Sequence, residues 1–235
     1  MIDIQHLYKT IGKQEILHDI NLSIPQGQVV GLLGPNGAGK STLMKILTGY
    51  WSFDKRDDTI VKVCGIDMAL NPHEVAPKVG YLPENNPLYE DMYVREYLLF
   101  MAELSLIPRR QRQPRVNEMI ERVGITPEQH KKIGQLSKGY RQRIGLAQAM
   151  MGNPDVLILD EPTTGLDPNQ LEDIRTLIKD LGRERTVILS THIMQEVREM
   201  CSRVVIINKG NITADLSDIT NIDLEQLFRD KTKQS

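Results

Sequence analysis

The stretch covering residues 29–47 constrains this chain more than any other. Val29-Val30-Gly31-Leu32-Leu33 is apolar without interruption, the mark of a strand covered on both faces. It runs directly into Gly34-Pro35-Asn36-Gly37-Ala38-Gly39-Lys40-Ser41, and a helical pattern follows from Thr42 to Leu47. The glycines let backbone N–H groups curl around an anion without a Cβ in the way. Lys40 adds a compact positive charge, and the Ser41 hydroxyl can ligate a divalent cation. The N-terminal dipole of the helix favours the same anion. Buried strand, glycine-rich loop and helix, in this order, specify an α/β sheet with a phosphate cradle.

The rest of the chain supplies the sheet. Further short apolar runs occur at Val156-Leu157-Ile158-Leu159, Val187-Ile188-Leu189 and Val204-Val205-Ile206-Ile207. Helical spacing falls between them, as in Leu171, Ile174, Leu177, Ile178 and Leu181. This alternation predicts an α/β fold with helices on both faces of the sheet. Near the start, Ile20, Leu22 and Ile24 alternate with polar Asn21 and Ser23 as a half-buried strand does, and Pro25-Gln26-Gly27 turns the chain. Residues 93–151 differ: Leu98, Leu99, Met101, Ala102 and Leu104, then Val116, Met119, Ile120 and Val123, fit helices, with Pro108 and Pro114 as breaks. We expect one domain, its α/β core at about 1–85 and 152–220, a helical subdomain at about 86–151, and a tail from about 221. The polar end, Asp230-Lys231-Thr232-Lys233-Gln234-Ser235, is expected to fray.

Composition narrows the function. The 235 residues carry a net charge of -2, so no basic field suggests nucleic acid as a partner. Arg109-Arg110-Gln111-Arg112 reads as a solvated loop or helix start. Cys64 and Cys201 show neither CxxC spacing nor clustered histidines, and read as unpaired packing residues of a reducing compartment. Met1-Ile2-Asp3-Ile4-Gln5 lacks the basic and apolar regions of a signal peptide, and no apolar run approaches the ~20 residues that cross a bilayer. A soluble protein is expected, with any membrane role exerted through a partner.

The glycine loop matches the P-loop pattern at every fixed position, which predicts nucleotide binding through residues 34–42. A second apolar run ends in Asp160-Glu161. With a P-loop upstream, the pair reads as hydrolytic machinery. Asp160 is placed for the Mg²⁺ shell and Glu161 is placed to polarise the attacking water as general base. Strand alternation would point the two in opposite directions.

Three further motifs complete a family resemblance. Leu136-Ser137-Lys138-Gly139-Tyr140-Arg141-Gln142-Arg143 is similar to the signature motif of ABC ATPases. Thr164-Gly165-Leu166-Asp167-Pro168 resembles their D-loop, and Ser190-Thr191-His192 their switch-histidine loop. The resemblance covers nearly the whole chain. It implies a P-loop NTPase core of the RecA-like kind, with an N-terminal antiparallel β portion and the inserted helical subdomain. It also implies ATP and Mg²⁺ as cofactors, with Lys40, Glu161 and His192 catalytic and His192 touching the γ-phosphate. Ser41, Asp160 and Glu84 would hold the metal. Two copies, or a copy and a paralogous ATPase subunit, would close head to tail on ATP. Ser137 and Gly139 would then meet the partner's nucleotide, with Asp167 beside it. The implied partner is a membrane-spanning permease, with the ATPase peripheral on the inner face of the cell membrane.

Three departures from the broad pattern stand out. Lys138 and Tyr140 stand in the signature where Gly and Gln are usual, and Glu84 in Tyr81-Leu82-Pro83-Glu84 replaces a glutamine. These two departures resemble ABC-2-type exporters, including multidrug and gliding-motility-associated members. Ile11 occupies the position of the adenine-stacking ring, with Tyr8 or a neighbour as a substitute. A P-loop GTPase is the first rival, but Asn208-Lys209-Gly210-Asn211 ends in Asn and reads better as a tight turn. Soluble ABC repair or translation factors would need a long coiled coil or two ABC domains, which are not seen. A non-hydrolysing nucleotide sensor would not need Glu161 and His192.

Overall fold

Two hydrophobic cores, one on each face of a six-stranded sheet, organise the chain. The structure, a computed structural model, describes residues 1–220 and 222–232. Strands β1 (Ile2–Ile11) and β2 (Gln14–Ile24) form an antiparallel hairpin. Strand β3 (Val29–Leu33) enters the main sheet and helix α1 (Lys40–Leu47) leaves it. Strands β4 (Ile60–Val63) and β5 (Ile66–Asp67) extend the hairpin to a four-stranded sheet of order β2-β1-β4-β5. A short α2 (Pro72–Val75) precedes β6 (Val79–Leu82). Helices α3 (Val94–Leu104), α4 (Arg109–Arg122) and α5 (Lys138–Met150) follow. The chain then alternates: β7 (Val156–Asp160), α6 (Pro168–Glu184), β8 (Thr186–Thr191), α7 (Met194–Met200) and β9 (Arg203–Asn208). Strand β10 (Asn211–Leu216) and helix α8 (Leu224–Thr232) end it.

The main sheet has the order β10-β9-β3-β8-β7-β6. All neighbours pair in parallel except β9 and β10. Every residue of β3, β7 and β8 is buried, as unbroken apolar runs require. Alternate residues divide between the cores. Val29, Leu33, Leu157 and Leu159 face the layer of α3–α8, whereas Val30, Leu32, Val156 and Ile158 face α1 and the N-terminal sheet. Each such side chain contributes ~1.5–3 kcal/mol of burial. The four apolar runs read from the sequence are four of the central strands. The 208–211 segment is a tight turn, with Lys209 and Gly210 at φ 45 and 76. Two positive φ values in a two-residue hairpin connection give a type I′ turn.

Two expectations are corrected. Pro108 separates α3 from α4, but Pro114 lies inside α4 without ending it. Buried Val116, Met119 and Ile120 hold that helix to the core, and the Arg115 guanidinium donates to the carbonyls of Met150 and Met151 on the α5 side. Packing therefore overrides one lost backbone bond. The expected frayed end is helical through Thr232, where Thr232 Oγ1 donates to the Phe228 carbonyl; residues 233–235 lie outside the described residues. Arg109 and Arg112 fall in the first turn of α4, and Arg112 pairs with Glu103 at 2.9 Å. Both cysteines are free thiols; burial pushes each up from its ordinary pKa. Among the described residues, no helix is long and apolar enough to cross a membrane.

Candidate functional site

A cavity of about 510 Å³ opens at the ends of β3, β7 and β8. Asn36, Gly37, Ala38, Gly39, Lys40, Ser41 and Thr42 line one side. The loop keeps its curl because Gly37 and Gly39 take φ values of 79 and 106. Gly34 is required for another reason: a Cβ there would lie 2.3 Å from the Ile207 carbonyl oxygen of β9. The β9–β10 turn braces the loop, with Gly210 N–H donating to the Ala38 carbonyl at 2.9 Å. Helix α1 carries neither a side-chain cap nor an acidic residue in its first turn, so its N-terminus is left for an anion. Gly34 and Pro35 do not line the cavity; their carbonyls accept from Lys40 Nζ at 2.7 and 3.2 Å. Burial pushes the Lys40 ammonium below its usual pKa, against the pull of Glu161, Asp160 and Glu84. A buried cation among three carboxylates suits a highly charged ligand.

Glu84, Asp160, Glu161, Thr164 and His192 line the opposite wall. Asp160 ends β7, while Glu161 takes φ 50. That left-handed turn stops the strand alternation, so both carboxylates reach one cavity instead of pointing apart. Thr164 Oγ1 donates to Glu161 Oε2 at 3.1 Å, and His192 Nδ1 lies 3.0 Å from the same oxygen. Glu84, beyond β6, is exposed. Its charge is felt at Tyr81, whose hydroxyl is pushed up to about 12 by burial first, then by Asp160 and Glu84.

Ser137, Gly139 and Asp167 are not among these walls. Ser137 is the exposed N-cap of α5 and accepts from the Tyr140 N–H at 3.4 Å. Gly139 is pressed against Gln170, where a Cβ would lie 2.0 Å from Oε1. Asp167 caps α6 through the N–H groups of Asn169 and Gln170. The α5 segment is nevertheless tied to the cavity: Gln142 Nε2 donates to the Pro162 carbonyl at 2.9 Å, and Asn86 Nδ2 to the Arg141 carbonyl at 2.8 Å.

Ile11 and Ile16 line the cavity mouth, whereas Tyr8 packs under the Arg56 guanidinium and does not line it. Sequence reasoning missed Ile16, Thr164 as a partner of Glu161, and Ser190. Ser190 Oγ lies 2.5 Å from Asp160 Oδ1 and 2.9 Å from Glu161 N. A hydroxyl at the end of an apolar strand, two residues before His192, was the available signal.

A family profile described as ABC transporter matches residues 17–164. The uncharacterised ABC transporter ATP-binding protein YdbJ of Bacillus subtilis is 39% identical over 92% of this chain and 69% of its own length. The lantibiotic transport ATP-binding protein SrtF of Streptococcus pyogenes is 34% identical, over 98% of this chain and 97% of its own. Among solved structures, an ATP-binding subunit of an ABC transporter superposes with a TM-score of 0.87 at 24% identity, covering 99% of this chain and 100% of its own. That likeness shows the shared fold.

Proposed function

The chain belongs to the ABC transporter family as an ATP-binding subunit that hydrolyses ATP, and from that premise we propose which residues do the work. The convergence of Lys40, Asp160, Glu161 and His192 on one cavity carries the reading. The loop N–H groups of residues 36–42 and Lys40 hold the phosphates. Glu161 takes the proton of the attacking water, while Thr164 and His192 fix its carboxylate. His192 also reaches the γ-phosphate, at the rim where it is more exposed than Glu161.

Mg²⁺ is the implied metal, and the residues present fit it. Ser41, Asp160 and Glu84 offer hard oxygens, and no cluster of three His, Cys, Asp or Glu among the described residues could hold an ion by itself. Mg²⁺ takes few protein ligands and fills its shell with water and phosphate oxygens. When bound, it offsets charge on the phosphates.

The placement of Ser137 and Gly139 away from the chain's own cavity supports a site completed by a second copy or a paralogous subunit. Head-to-tail closure would bring α5's N-terminus to the partner's ATP, and ATP favours closure because it touches both subunits only there. We further propose a membrane-spanning permease as the driven partner, an ABC-2-type exporter as the subgroup, and the inner face of the membrane as the location. The Glu84 and Lys138 positions and the likeness to SrtF support these finer assignments. One domain is proposed, with core, helical and tail portions near 1–85 with 152–220, 86–151 and 221–235. A single hydrophobic cluster joining Tyr97, Met119 and Leu157 supports it.

Glu161→Gln tests the chemistry. It should keep ATP affinity, lose turnover by ~10²–10⁴ and accumulate as an ATP-bound dimer on gel filtration. Near-normal hydrolysis would sink the assignment of the base.

A further inference from the structure

We propose that Ser190 is a positioning residue that sets both carboxylates of the site, an inference that rests on the roles proposed above for Asp160 and Glu161. Ser190 lies opposite Asp160 in the parallel β7–β8 ladder and is fully buried. A hydroxyl has one proton to give and two lone pairs to offer. The Glu161 backbone N–H can only donate, so it takes a lone pair of Ser190 Oγ at 2.9 Å. The single Ser190 proton is thereby left for Asp160 Oδ1, 2.5 Å away. Both directions are fixed by elimination, and the bond to the carboxylate is charge-assisted.

Each bond has its own consequence. Ser190 thereby holds Oδ1 of the carboxylate of Asp160, a residue that lines the cavity. Glu161 at φ 50 is in a region that residues other than glycine occupy only when their surroundings hold them there. The bond from its N–H to Ser190 is one such restraint, and the turn swings the carboxylate onto Thr164 and His192. The strand end is itself tied to α7, since Thr191 Oγ1 donates to the buried Glu196 at 2.7 Å. The end of β8 thus grips the Asp160–Glu161 pair twice, through Ser190 and through His192.

Ser190→Ala should lower kcat about 10- to 100-fold and raise KM for Mg²⁺–ATP about tenfold, because the phosphate cradle is untouched but the carboxylate placed for the metal is loosened. A second readout needs no turnover. In a Glu161→Gln background, calorimetry should show Ser190→Ala weakening Mg²⁺–ATP binding about tenfold and leaving metal-free ATP binding unchanged. Thr186→Val is the comparator: its equally buried hydroxyl on the same strand serves Gly27 and Pro25 instead, so it should cost stability without changing kcat. Should Ser190→Ala melt early, Ser190→Cys keeps a side chain at this position with a weaker, slightly larger donor and is read by the same two measurements. A well-folded Ser190 variant that hydrolyses and binds Mg²⁺–ATP like its parent, while Glu161→Gln is inactive, overturns this role and leaves the proposed base standing. Full turnover by Glu161→Gln removes the base and this assignment with it.

Discussion

An adenine ring entering the cavity from its mouth would meet the branched aliphatic side chains of Ile11 and Ile16. Ile11 is 43% exposed at the cavity, and a bound base would cover it. Aliphatic carbon offers dispersion contact but no π face, so a base seated there would be held weakly and its edge poorly read. Ile11→Tyr should therefore tighten ATP binding by about 0.5–1.5 kcal/mol, the range for aromatic pairs. The parent protein should in turn discriminate little between ATP and GTP in competition titrations. Unchanged ATP affinity in Ile11→Tyr would mean that the base lies elsewhere. Tyr8 does not line the cavity; its ring packs against the Arg56 guanidinium at 3.3 Å.

Helix α4 carries a proline in its interior at the expense of one backbone bond, since position 114 has no N–H for the Arg110 carbonyl. Pro114→Ala restores that donor, against ~0.4–1 kcal/mol of unfolded-state entropy that proline had removed. From an interior-proline cost of ~3 kcal/mol, the net gain should be about 2–2.6 kcal/mol, or roughly 4–10 °C in melting temperature. A lower melting temperature would show that Arg110 and its neighbours are already satisfied without it. The same helix shows what local patterns convey: its apolar spacing was legible, but its continuity through Pro114 depends on contacts with α5. The central strands were legible because burial on both faces leaves an unbroken apolar run. The edge strands β6 and β10 are only partly buried and leave no such run. Strand β1 is masked by register shifts between Ile4 and Leu7 and beyond, which spoil its period of two. The P-loop is contiguous in sequence, so its motif could be read directly, although Gly34 and Pro35 brace Lys40 rather than line the cavity. The grip of Ser190 on Asp160 was not, because it needs the register of two strands 30 positions apart. Alternation misdirected Glu161, whose positive φ no run of apolar residues announces.

At the scale of the molecule, the energy of ATP has to leave this chain through its surface, and the segment after Glu84 is where we expect it to do so. Pro87-Leu88-Tyr89-Glu90-Asp91-Met92-Tyr93 divides by burial. Leu88 and Met92 turn inward against the core, while Tyr89 and Tyr93 stay 56% and 50% exposed. Tyr89 is steadied from beneath, edge-on to Tyr97 at 5.9 Å and tilted against Phe100 at 6.0 Å. Two half-exposed aromatic rings on a fixed base are the residue type enriched in interfaces. The segment also touches α5: Arg141 pairs with Glu90 at 3.1 Å, and Asn86 holds the Arg141 carbonyl. A partner helix seated on Tyr89 would thus lie one residue from a contact with the helix that Ser137 caps, and a few residues from Glu84 at the cavity. Tyr89→Ala and Tyr93→Ala should leave ATPase activity of the isolated subunit near its parent value, because neither ring lines the cavity. In cells they should uncouple that activity from transport. Met92→Ala should instead lower stability, since it removes packing from the core side. Photo-crosslinkers placed at Tyr89 and Tyr93 in intact cells should capture a membrane-spanning protein in an ATP-dependent yield. If both positions capture none while the protein remains an active ATPase, the permease does not dock on this segment.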